Sequence, residues 1–167
     1  MKPIIELFWQ ICLLRQSPAY VPTQGAFVAA VISANVIGSL LVSQGFETEV
    51  SALESLNGIL VGQTVTALLV LLTLALRDLA GRFVATITAL FGCELIITAC
   101  FALVLPIVTM LGQTATSLVF LMFLIWSVAV AGFIMHRALG VQLAIGIGVA
   151  MAISLFSVTL SQLVISA

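Results

Sequence analysis

The chain has 167 residues, of which 63% are apolar and 7% charged, with a formal net charge of -1 and a mean hydropathy of +1.36. About a quarter of an ordinary soluble domain is charged, so this composition excludes one, and it is the reverse of what keeps a chain disordered. Five Lys and Arg in all can neutralise few phosphates, which argues against nucleic acid as a partner and leaves a small polytopic membrane protein of the all-α class.

Residues 1–24 form an N-terminal segment ahead of the first long apolar run. Lys2 supplies a basic start, but Glu6 and Gln10 interrupt the apolar stretch, and Arg15, Pro18 and Pro22 follow where a small-residue cleavage site would stand. A cleaved signal is therefore not expected. Lys2, Glu6 and Gln10 recur every four residues, one stripe of a helix otherwise covered by Ile4, Ile5, Leu7, Phe8, Trp9 and Ile11. Such a helix is too short to cross a hydrocarbon core of about 30 Å. Two placements remain: an interfacial helix with Trp9 and Arg15 at the headgroups, or a helix packed against the bundle.

Residues 25–167 hold five apolar runs near the length of a membrane span, at 26–42, 56–76, 83–111, 117–135 and 141–165. The third and fifth exceed what a bilayer needs, so tilt or a bend is expected, with Pro106 as the bend in the third. Lys2 and Arg15 precede the first span, Arg77 and Arg82 join the second to the third, and Arg137 joins the fourth to the fifth. Five alternating spans put all of these on one side. Random placement would do so about one time in sixteen, and the positive-inside rule makes that side cytoplasmic. The expected topology is a multi-pass protein of the inner (cytoplasmic) membrane, N-terminus inside and C-terminus outside.

The first outer loop, 44–55, carries Glu47, Glu49 and Glu54, with Phe46, Val50 and Leu53 at helical spacing. It reads as a short amphipathic helix or as a continuation of the second span. No EF-hand spacing accompanies the acids, so no bound metal is expected.

Glu94 lies eleven residues beyond Phe83, roughly 16 Å along a helix, and so near the middle of the membrane. An acid there costs about 3 kcal/mol on insertion scales and must face the bundle interior. Thr86, Glu94 and Thr98 share a ridge that continues through Ala102 to Pro106. Counting depth on the other spans puts Asn35, Gln63, Thr66 and Ser127 near the same level, which predicts a polar midplane layer. Asn35, Gln63 and Thr66 are the expected partners of Glu94. No Lys or Arg lies within any span, so Glu94 is expected to be carried as the neutral acid. The layer is either a proton, ion or solute path or a hydrogen-bonded device that sets helix register.

In the last span Gly140, Ala144, Gly148 and Ala152 repeat every four residues, and Gly146, Ala150 and Ser154 run beside them. Small-residue ridges let helix backbones approach closely, either inside the monomer or against a partner. Trp126, in mid-span, is expected to pack its ring between helices. His136, beside Arg137, reads as an end residue of the fourth span. Cys12, Cys93 and Cys100 form no CxxC pair and read as packing residues rather than a disulfide or metal site. No nucleophile elbow, zinc-protease helix, phosphate-binding loop or dinucleotide fingerprint occurs, so neither an enzyme nor a cofactor is expected.

The five-span plan, and the hairpin from Val119 to Val149 with Trp126 and the turn before Gly140, resembles the Yip-domain membrane proteins, named for members that interact with Ypt/Rab GTPases. That resemblance implies a compact five-helix bundle that binds other membrane proteins and has no catalytic residues. This chain lacks the long hydrophilic N-terminal region of the eukaryotic members, which points to a bacterial relative without GTPase interaction. The sequence reading is a small accessory or scaffold protein in contact with membrane lipids and with a membrane-protein partner or further copies of itself. The alternative is a proton, ion or small-solute transport subunit centred on Glu94.

Overall fold

The computed structural model describes residues 4–46 and 51–165. Lys2, Glu47, Glu49 and Val50 lie outside the described residues. Among the described residues six α-helices follow one another: α1 (Ile4–Cys12), α2 (Gly25–Phe46), α3 (Ala52–Ala75), α4 (Phe83–Thr109), α5 (Gln113–Leu139) and α6 (Leu143–Ile165). Five are long and apolar enough to cross a membrane, and they correspond to the five runs read from sequence. The protein is a multi-pass helical membrane bundle.

Local chemistry sets the helix ends. Ser51 caps α3: its hydroxyl accepts from the Glu54 N–H at 3.2 Å, and the Glu54 carboxylate accepts from the Ser51 N–H at 3.1 Å. This capping box starts α3 at Ala52, four residues before the apolar run, because a polar first turn satisfies the open N–H groups. Glu54 is thus a cap residue. The α1 and α3 C-termini close alike: Arg15 N–H reaches Gln10 O at 2.9 Å around a left-handed Leu14, and Leu79 N–H reaches Leu74 O at 2.9 Å around a left-handed Asp78. α5 extends four residues past the expected limit at each end. Its last turn holds His136 and Arg137, favourable at a helix C-terminus, before Gly140 stops it at φ 65°. α4 stays helical through Pro106, whose missing N–H leaves the Ala102 carbonyl without its intrahelical donor.

The long helices close a ring in the order α2, α3, α6, α5, α4 and back to α2. The ring is not uniform along its axis. At the end that holds the α3–α4 and α5–α6 turns, Val70, Leu74, Ile87, Val130, Ile134, Met135, Ala138 and Leu139 are buried. Arg82 ties this end together by donating to the Ala138 carbonyl at 3.0 Å. Gly132 and Gly146 let α5 and α6 meet backbone to backbone there. Toward the opposite end, serines and glycines face inward instead, and the ring interior stays open.

α1 takes the bundle-packed placement. The Phe8 ring lies directly over Gly92, whose missing Cβ makes room for it, and stacks on Phe27 with centroids 6.3 Å apart. Cys93 donates its thiol to the Phe8 carbonyl and Cys12 donates to the Cys93 carbonyl, both at 3.8 Å. The Trp126 indole N–H donates to the Cys12 carbonyl at 2.9 Å, closing one of the open carbonyls at the end of α1. Gly92 is nine residues into α4, so α1 reaches roughly 13 Å up that helix. Trp9 packs edge-on against Trp126, with centroids 6.3 Å apart. Arg15, just past α1, is exposed.

Candidate functional site

The polar layer predicted at mid-depth forms, with partners rearranged. Asn35 of α2 is 1% exposed and donates from its amide nitrogen to the Phe91 carbonyl at 2.9 Å and to the Glu94 carboxyl at 3.4 Å. Gln63 of α3 donates to the Asn35 amide oxygen at 2.5 Å. A donor chain thus runs from Gln63 through Asn35 to Glu94, every link pointing its N–H toward the acid. Such a chain aligns dipoles so that each bond strengthens the next in a low-dielectric interior.

Thr66 does not join the chain. Its hydroxyl pairs with Ser157 of α6 at 2.8 Å, a polar tie between α3 and α6 joined by that from Ser161 Oγ to Gly58 O at 2.8 Å. Thr98, one turn from Glu94, is half-buried and lines neither of the chambers described next. Thr86 is buried lower in α4 and bonds back to the Arg82 carbonyl at 2.8 Å.

Glu94 faces the interior of the ring, as its depth requires, but it is not sealed there. Its side chain is exposed to a cleft of about 410 Å³ between α2, α3 and α6. Ser39, Ser43, Ser55, Ser154, Ser157 and Ser161 supply hydroxyls along the walls, and Gly58 and Gly62 keep the α3 wall thin. Among the described residues Glu94 is the single ionisable side chain of the lining. A smaller chamber of about 120 Å³ continues between α4 and α5, lined by Ser127 and by Leu90, Phe91, Val130 and Ile134. Thr66, Glu94 and Ser154 belong to both chambers and form the neck between them. Beyond the neck the lining turns apolar and merges with the packed end of the bundle.

The two ridges of α6 separate. Gly146 and Ala150 are buried against the bundle, and an added Cβ at Gly146 would strike the α5 backbone. Ala144, Gly148 and Ala152 face outward, and nothing lies within 4 Å of a Cβ built at Gly148. Gly140 belongs to the turn, where φ 65° favours a residue without a side chain.

Sequence reading passed over most of the cleft wall. Ser39 and Ser43, and Ser154, Ser157 and Ser161, stand three or four apart on α2 and α6, a helical stripe of hydroxyls. Gly58 and Gly62 form a GxxxG pair, the standard sign of a close helix contact in membranes. Those spacings were the available signals.

A membrane-embedded carboxyl with one hydrogen-bonded side and one open side can exchange a proton or receive a positively charged group. The class defined by fold and site is a five-span membrane protein with a polar, acid-floored cleft. Comparison of the chain with family models, curated proteins and solved structures returns no match.

Proposed function

We propose that the protein is a small transport subunit whose membrane-embedded site binds a proton, ion or small polar solute at Glu94. The observation that carries this reading is the cleft: a register-setting hydrogen bond needs no opening, yet the acid stands at the floor of a hydroxyl-lined chamber. Membrane acids facing such cavities mark substrate and ion paths. The site works as a receptor for positive charge, and the apolar lining beyond the neck closes the opposite side. In this reading the basic loops are cytoplasmic, the membrane is a bacterial inner membrane, and the cleft opens outward. No residue pair in the site assigns a catalytic step.

Proteoliposomes loaded with a pH-sensitive dye test the reading under an imposed proton gradient and with candidate solutes. Flux in the native protein that is lost in Glu94→Gln and kept in Glu94→Asp supports it. Flux indifferent to Glu94→Gln, in protein of unchanged melting midpoint, refutes it.

A second reading, association with another membrane protein or with copies of itself, rests on the outward ridge of Ala144, Gly148 and Ala152. A Yip-type scaffold would use such a face. Gly148→Ile would then break a complex isolated in mild detergent while leaving the monomer folded.

A further inference from the structure

From the size and lining of the cleft we infer its ligand class: an organic monocation, an ammonium group carried on a compact apolar or hydroxylated body. This inference rests on the transport reading and adds the substrate to it.

Volume excludes a bare ion as the ligand that fills the site. A dehydrated metal cation is held by several oxygen ligands at about 2–2.6 Å, which leaves most of a cleft of about 410 Å³ unfilled. Chambers of about 300–1,000 Å³ are the size that encloses small organic molecules. Charge sets the sign and number. Among the described residues Glu94 is the single ionisable group of the lining, so one positive charge is neutralised at the floor of the cleft.

Geometry places the ammonium. Asn35 holds one carboxyl oxygen at 3.4 Å and is itself held by Gln63, so the acid is oriented from the α2–α3 side. The rest of the carboxyl faces the cleft, where an N–H donor finds a charge-assisted acceptor. Above it, Ile59, Gly62 and Val158 offer apolar wall, and Ser39 and Ser154 offer hydroxyls that accept or donate as the ligand body requires. When Glu94 starts protonated, the incoming cation displaces its proton, which makes the two ligands competitors for one carboxyl.

Equilibrium binding to the purified full chain in mild detergent tests this, with 2-phenylethylammonium as probe and 2-phenylethanol as its neutral analogue. The cation should saturate one site, bind at least about thirtyfold more weakly to Glu94→Gln, and bind more tightly as pH rises, with a proton released. The alcohol should bind weakly and equally to both proteins. Ser154→Leu, which extends an apolar side chain into the neck, should also weaken cation binding. Equal affinity for amine and alcohol, or amine binding unchanged in Glu94→Gln, overturns the inference. Proton flux that depends on Glu94 without amine binding removes the ligand class and leaves the transport reading. Loss of neither flux nor binding on Glu94→Gln removes both.

Discussion

Replacing Gly146 by Ala tests the contact on which the closed end of the ring depends. A Cβ at Gly146 would lie 2.5 Å from the Gly132 carbonyl oxygen, 2.7 Å from the His136 nitrogen and 2.9 Å from the His136 Cα. All three are backbone atoms of α5, so no rotamer change clears them. The two helices must part by something near 0.8 Å, a gap that forfeits about a quarter to a half of the dispersion attraction between facing atoms. Overpacking of this kind costs about 1–3 kcal/mol. The better helix propensity of Ala offsets about 0.5–1 kcal/mol of that, leaving a net loss near 1–2 kcal/mol.

Gly148→Ala is the matched control, because it has nothing within 4 Å and gains only the propensity. Cys12 and Cys93 are each 1% exposed, so a thiol-reactive dye reports unfolding on heating in detergent. Gly146→Ala should melt several degrees below the native protein, at about 2–4 °C per kcal/mol for a chain of this size, and Gly148→Ala at or above it. Equal midpoints for the two variants would refute the assignment of the inner and outer ridges.

Trp126→Phe keeps the aromatic packing but removes the hydrogen bond to the Cys12 carbonyl, worth about 1 kcal/mol, so α1 should open about fivefold more often. The rate of maleimide labelling at Cys12 measures this. Ser51→Ala removes the α3 cap and should cost about 1 kcal/mol, read as a lower melting midpoint, whereas Ser51→Asp should largely restore it. In a cysteine-free background, Gly112→Cys should react with an impermeant maleimide in intact cells and Gly81→Cys only after permeabilisation. The reverse pattern would place the cleft on the cytoplasmic side. Asn35→Leu leaves Gln63 without its acceptor and removes the side-chain donor to the Phe91 carbonyl, a loss of about 1–3 kcal/mol seen in the same melting assay.

The five spans were legible because their signal is one-dimensional: a stretch of chain either has enough consecutive apolar residues to cross a membrane or it does not. The depth of Glu94 was legible for the same reason, since helical rise converts residue number into distance. Partner choice was not. Thr66 and Asn35 sit at similar depth, but helix rotation about the axis turns Thr66 toward Ser157 and Asn35 toward Glu94. A helix apolar on all sides carries almost no periodic signal from which that rotation could be read. α1 escaped for a related reason: amphipathicity says that one face is buried, and is silent on whether lipid or protein buries it.

Composition and run length by themselves determined a membrane bundle, its span count and an acid at mid-depth, because these follow from the solvation cost of each residue in hydrocarbon. Only the tertiary structure decided that the ring packs tightly at one end and stays open at the other. That outcome depends on which small side chains of different helices meet. Gly132 against Gly146 draws α5 and α6 together, while the inward serines of α2 and α6 leave a chamber that ends at Glu94.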